Sequence, residues 1–234
     1  MAGQRSWGPR RGPTWGKLSA MKTIAVLGSG AVGQALSDGF LKHGHAVVRG
    51  TRDPAKLAGW KSAAGAHASV ETFAEAARKG DLVVLAVKGT AAEEVLRAVG
   101  PDALAGKTIV DTTNPIAESP PTQGVIAFFT GPNDSLMERL QAAVPGAHLV
   151  KAFSCVGNSL MVDPELGGLK PTMFICGNDA GAKDETKAIL DAFGWETEDL
   201  GGAAAARAIE PLCILWCIPG FLRNDWRHAF KVLR

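Results

Sequence analysis

Three glycines in the segment Gly28-Ser29-Gly30-Ala31-Val32-Gly33 could seat an anion with backbone alone. The first permits a tight turn, the second lets amides approach a pyrophosphate, and the third lets a helix pack close to the preceding strand. A helix starting there adds unpaired N–H groups and the positive end of its dipole. Further along stand Thr51, Arg52 and Lys56: a hydroxyl, a guanidinium fork and an ammonium. That set suits a phosphate. In a dinucleotide site, an acid at this point bonds the ribose hydroxyls and repels a 2′-phosphate, whereas arginine accommodates it. The residue types therefore point to NADP(H). Asp53 precedes Pro54 and reads as the cap of the next helix, not as a ribose ligand.

Such residues act only if strand, turn and helix hold them. Thr23–Leu27 is an apolar run rich in β-branched residues that leads into the glycines. A helical pattern follows, and a second strand-like run, 46–49, ends in Gly50-Thr51-Arg52. This context separates a dinucleotide fingerprint from an ordinary glycine turn. The alternation continues with a strand at 66–70, a helix at 71–79 stopped by Gly80, and a central apolar strand at 81–87. A helix at 90–99 and a strand at 107–111 lead into Thr112-Thr113-Asn114-Pro115, followed by a polar, proline-containing loop at 116–134 beside the active site. Helices are expected at 135–144 and 182–193, and strands at 148–152 and 172–176. This order implies an α/β, doubly wound parallel sheet with ligand at the carboxyl ends of its strands.

The bulk properties narrow the class. A chain of 234 residues with 46% hydrophobic content can bury a full core, and 28 glycines suit tight turns between strands and helices. Residues 1–20 hold Arg5, Arg10, Arg11 and Lys17 without an acid, so the net charge of +2 becomes −2 once they are set aside. The body thus lacks the basic signature of a nucleic-acid partner. No apolar run approaches the ~20 residues that cross a bilayer, so no membrane partner is expected. Residues 1–20 read as a disordered extension, or as a start assigned too early, that adds nothing to fold or cofactor binding, with Met21 opening the folded unit. Arg10-Arg11 lacks the apolar stretch of an export signal, and a transit peptide is the alternative. Cys155, Cys176, Cys213 and Cys217 have neither zinc-site spacing nor a disulfide framework, which predicts buried, unreactive thiols and a reducing cytoplasm.

Together, LGSGAVGQAL (27–36), GTRDPAK (50–56), VDTTNP (110–115), VPGAHLVKAF (144–153), MFICGNDAGAK (173–183) and the Ala-Arg-x-x-Glu of 206–210 are far more specific than the glycine turn. In these segments the chain resembles the NADPH-dependent coenzyme F420 reductase family. It is still more similar to the cytosolic oxidoreductase domain of the STEAP metalloreductases. The resemblance implies a Rossmann NAD(P)-binding fold over 21–202, a short helical and aromatic C-terminal extension over 203–234, and hydride transfer to a flavin-type acceptor. It assigns the cofactor to Ser29, Gly30, Ala31, Val32, Thr51, Arg52 and Lys56, beside the Gly28 and Gly33 of the glycine fingerprint, with Val87, Asn114 and Ala152 near the nicotinamide. Lys88, just past the central strand, could touch a cofactor phosphate or an anionic acceptor. Those relatives commonly read Ala-Phe-Asn-Thr where this chain has Ala152-Phe153-Ser154-Cys155, so different acceptor-side contacts are expected. The membrane segment that holds flavin and haem in the metalloreductases has no counterpart in these residues, so transmembrane electron transfer is not expected of this chain alone.

No catalytic dyad stands out, and none is needed where two ring cofactors stack and exchange a hydride. His43 and His45 flank the helix-to-strand turn opposite the glycines and read as surface residues; His67 lies by the third strand. His228 is the histidine that merits a test, with a structural role as its alternative. Phe153 reads as a packing residue or a wall of the nicotinamide pocket. The expectation is an NADPH-dependent oxidoreductase with F420, FMN or FAD as acceptor, in a chain that could pair as a homodimer through its aromatic C-terminal segment. The rival readings are reduction of a small imine or carbonyl compound, and a redox-sensing module that binds NADPH without turnover.

Overall fold

The computed structural model describes residues 21–234; the expectations for residues 1–20 lie outside the described residues. Strand β1 (Thr23–Leu27) buries almost every side chain, as a strand covered on both faces must. Helix α1 (Ala31–Lys42) follows the glycine turn, and β2 (Ala46–Thr51) runs parallel to β1, with Leu27 opposite Gly50. A short 3₁₀ turn (Pro54–Leu57) opens with Asp53, whose carboxylate accepts from the Ala55 N–H at 3.2 Å, so the capping role read from the sequence holds. Helix α2 (Ala58–Ala64) then leads to β3 (Ala68–Thr72). Helix α3 (Phe73–Lys79) begins with a reciprocal cap between Thr72 and Glu75. Strand β4 (Leu82–Leu85), α4 (Gly89–Val99), the single turn α5 (Pro101–Leu104) and β5 (Thr108–Asp111) continue the winding. After the loop come α6 (Leu136–Ala143), β6 (His148–Lys151), β7 (Thr172–Gly177), α7 (Ala180–Ala192) and β8 (Glu196–Asp199).

The eight strands form one sheet in the order β3-β2-β1-β4-β5-β6-β7-β8. The chain therefore starts in the middle and winds outward both ways, which opens a crevice at the carboxyl ends of β1 and β4. Alternate residues face opposite layers. Ile24, Val26, Val47, Val84 and Val110 pack with Leu36 and Phe40 of α1, with Ile189 and Leu190 of α7, and with Phe193 just past its end. Ala25, Leu27, Val83, Leu85 and Ile109 pack instead with α3, α4 and α6.

Two features depart from the sequence reading. The expected all-parallel sheet is parallel only from β3 to β6; β7 pairs antiparallel with β6, Lys151 opposite Cys176, and β8, not foreseen, runs parallel to β7. Because of that reversal, the first residues of β7 reach past the end of β6, where the Phe153 N–H meets the Met173 Sδ at 3.2 Å. The expected helical extension is present as a 3₁₀ turn, α8 (Ala206–Ile209) and α9 (Leu212–Arg223), and the second departure is the length of its apolar run. Together Ala203–Arg223 spans 21 residues and contains an 18-residue stretch of mean hydropathy 1.4, long and apolar enough by length and composition to cross a membrane. Arg207, Glu210 and Pro211 hid this run in the sequence. Its Ala206, Ile209, Cys213 and Trp216 are buried against the domain, while Leu215, Phe221 and Leu222 are exposed.

Candidate cofactor site

The glycine turn is built as its spacing demands. Gly28 has φ +151, and a Cβ there would lie 2.1 Å from the Ala86 carbonyl oxygen, so no other residue fits. A Cβ on Gly33 would lie 2.6 Å from the Gly28 carbonyl oxygen, and this closeness brings α1 onto the turn. Helix α1 starts at Gly30 without a side-chain cap and without an acid in its first turn. Its leading N–H groups therefore have no internal rival for an anion. Ser29, Gly30 and Ala31 are exposed, Val32 is half-buried, and Gly28 and Gly33 are buried.

Beside the turn, β2 ends in Thr51, which is buried, and its hydroxyl accepts from the Asp53 N–H at 3.3 Å. That hydroxyl thus helps to shape the loop. Arg52 and Lys56 are exposed on the rim, and neither takes part in an ion pair among the described residues. Across the crevice, Val87 is half-buried and Lys88 is exposed at the start of α4. Gly89 permits a close crossing, since a Cβ there would lie 2.0 Å from the Asn114 carbonyl oxygen. Asn114 donates from Nδ2 to the Ser154 carbonyl at 2.7 Å. Its Oδ1 and the Ser154 Oγ are buried without a hydrogen-bond partner. Ala152 is fully buried and donates its N–H to the Asp111 carbonyl at 3.0 Å, so it shapes the floor of this end. The edge thus carries free cations at one end and unpaired neutral polar groups at the other. A phosphorylated dinucleotide with a terminal carboxamide has that same polarity.

Sequence reasoning missed the ion cluster beneath this edge. Asp111 and Lys151 are register partners on β5 and β6, and Lys151 Nζ lies 2.7 Å from Asp111 Oδ2 and 2.9 Å from Glu210 Oε1. It also donates to the Thr113 carbonyl at 2.8 Å. Glu210 accepts from the Leu136 and Met137 N–H groups at 3.0 Å each, which ties the start of α6 to the start of α9. Asp111 Oδ1 accepts from the Thr113 N–H at 2.9 Å and from its hydroxyl at 2.7 Å. Burial would lower the Lys151 ammonium, but Asp111 and Glu210 outweigh it and hold its pKa above the ordinary lysine value. The cluster braces the 111–114 turn and hence Asn114. The signal was there: a charge at the end of each of two buried strands, and a glutamate in an apolar segment.

The other expected residues divide cleanly. Phe153 is buried at φ +59 and packs on Phe193 at 6.3 Å between ring centroids, so it is a core residue and not a wall of the crevice. His45 is a correction: it is buried, edge-on to Phe40, and its Nδ1 accepts from the Lys22 N–H at 3.3 Å. Burial, then His43 and Lys22, lower its pKa. His228 stacks on Trp216 at 5.0 Å and exchanges hydrogen bonds with that residue's backbone and indole. Cys155 is buried and its thiol is pushed up to about 12 by burial.

A doubly wound sheet with an uncapped glycine turn, free cations after β2 and no acid at the end of that strand defines a protein that binds a phosphorylated dinucleotide. Residues 23–115 match the family described as NADP oxidoreductase, coenzyme F420-dependent. A crystal structure from Arthrobacter sp. FB24, provisionally named an F420-dependent NADP reductase, is 35% identical, with TM-score 0.86 over 92% of this chain and 100% of that one. The chain belongs to this family of NADP-dependent oxidoreductases. It is also 29% identical over 204 residues to the metalloreductase STEAP3 of Rattus norvegicus, covering 85% of this chain and 38% of that protein's length. An imine reductase from Aspergillus terreus, solved with NADPH4, shares the fold at 21% identity, TM-score 0.62, over 84% of this chain and 60% of its own.

Proposed function

We propose that this chain passes a hydride between NADP(H) and a flavin or deazaflavin ring bound at the same edge. The supporting observation is where the histidines and the buried ionisable groups lie. His43 and His45 precede β2, His67 precedes β3, and His148 begins β6, so all four stand at the amino ends of strands, away from the crevice. His228 is held in its stack on Trp216. The chain has no tyrosine. Asp111, Lys151 and Glu210 are locked into one another, and Cys155 stays a thiol. Reduction of an imine or a carbonyl needs a proton placed beside the reacting carbon. Exchange between two stacked rings needs alignment at about 3–3.5 Å and little acid–base help from protein.

In this reading Ser29, Gly30 and Ala31 offer backbone amides to the pyrophosphate, and Arg52 with Lys56 receives the 2′-phosphate. Asn114 and Ser154 offer their unpaired polar atoms to the carboxamide, and Val87 packs on the ring. When bound, NADPH supplies two electrons and one proton as hydride, and the acceptor takes its second proton from solvent. Anaerobic oxidation of NADPH, assayed with F420, FMN, FAD, a ferric chelate and a cyclic imine, tests the acceptor. The expected result is turnover with F420 or a flavin and none with the imine; imine reduction alone would overturn the proposal. Arg52→Ala should weaken NADPH about ten- to a hundredfold and leave NADH nearly unchanged, because a charge-assisted bond contributes about 1.5–3 kcal/mol. Equal losses for both would show that Arg52 does not read the 2′-phosphate.

A further inference from the structure

Arg49 is a charged residue inside an apolar strand. Its alternation with Val47 points it at the α1 layer, where its side chain is fully buried beneath the glycine turn. Nη2 donates to the Gly28 carbonyl at 3.2 Å and meets the Gly30 carbonyl at 3.5 Å. Nε and Nη1 are buried with no partner. The guanidinium lies over the Trp60 ring at 4.8 Å, and Trp60 Nε1 donates to Asp38 at 2.7 Å. Asp38 acts on Arg49 only across space, and among the described residues no carboxylate forms an ion pair with it.

Two consequences follow from geometry and charge. A trans peptide directs its C=O and its following N–H in opposite senses. Holding the Gly28 and Gly30 carbonyls from below therefore turns the Ser29 and Ala31 N–H groups outward, to the exposed side of the turn. In addition, a cation buried without a paired anion costs stability until an anion approaches it. The turn above it is uncapped and carries no acid in its first helical turn, so it leaves room for such an anion.

We infer that Arg49 is the buried counter-charge and positioning residue for the pyrophosphate of the cofactor, orienting the amides of the turn and compensating the phosphate charge from beneath. The inference rests on the cofactor reading above and adds to it a residue that touches no solvent. It also separates two cations by role: Arg52 reads the 2′-phosphate, whereas Arg49 reads a group common to both nicotinamide dinucleotides.

The test measures binding of NADPH and NADH by calorimetry, and the melting temperature of the apo protein, for wild type, Arg49→Met and Arg49→Lys. Arg49→Met should weaken both dinucleotides by about tenfold or more and by similar factors, the loss of a charged interaction. Its apo melting temperature should be no lower than that of wild type, because an uncompensated charge has gone. Arg49→Lys, which keeps the charge and loses the fork, should fall between the two in affinity. A merely structural arginine would lower stability and affinity together, and that result overturns the inference. Unchanged affinities, a loss confined to NADPH, or failure of both Arg49→Met and Arg49→Leu to fold overturns it as well. Wild type that binds neither dinucleotide defeats the cofactor reading itself and the inference with it, whereas wild-type binding with an indifferent Arg49→Met defeats the inference alone.

Discussion

Glu210→Gln tests whether the buried ion cluster braces the site. Three donors converge on the two oxygens of Glu210: the Leu136 N–H and Met137 N–H at 3.0 Å, and Lys151 Nζ at 2.9 Å. Glutamine keeps one acceptor and replaces the other with an NH₂ group, so at least one buried donor faces another donor. An orphaned buried donor costs about 1–3 kcal/mol, and each lost bond to a charged group about 1.5–3 kcal/mol. The sum agrees with the about 3–5 kcal/mol expected when one member of a buried ion pair is removed. For a chain of this length, each kcal/mol moves the melting temperature by about 2–4 °C, so the drop should be roughly 6–20 °C. Urea unfolding followed by tryptophan fluorescence gives the free energy directly. Arg207→Ala is the internal control, since Arg207 bonds Glu138 at 2.9 and 2.7 Å but on the surface. Such an exposed pair is worth at most about 1 kcal/mol. Glu210→Gln that costs no more than Arg207→Ala would refute the assignment of the cluster as a brace.

Three further outcomes follow from the same structure. Gly28→Ala puts a methyl group 2.1 Å from the Ala86 carbonyl, so it should lose NADPH binding and more than about 1 kcal/mol of stability; an intact titration curve would show that the turn can relax. Phe153→Ala removes a core ring and should cost about 3–5 kcal/mol in urea unfolding, so a loss of turnover at unchanged stability would return Phe153 to the crevice wall. His45 is neutral in the fold with a pKa below its unfolded value, so the unfolded chain takes up its proton first as pH falls through the mid-sixes. Stability should therefore be full above that range and decline as pH falls below it, and His45→Asn should narrow the difference in melting temperature; an equal decline in both proteins would assign it to other groups.

The glycine turn, the flanking strand and helix, the Asp53 cap and the cations after β2 were legible in the sequence, because each is a local matter of chain geometry and hydrogen bonding. Gly28 must be glycine for reasons that lie in its own backbone and its nearest neighbours. The amino acids by themselves therefore determined a dinucleotide-binding sheet with a pair of cations just past the end of its second strand. Tertiary structure alone decided the rest. The reversal at β7 follows from how the segment after β6 folds back, and no periodicity records direction. His45 looked like a turn residue, yet Phe40 and the Lys22 amide enclose it. Arg49, Lys151 and Glu210 appear in the sequence only as charges in apolar surroundings. Which charge meets which is settled by packing, since burial in a low dielectric forces each to find a carbonyl, a counter-ion or an anion from outside.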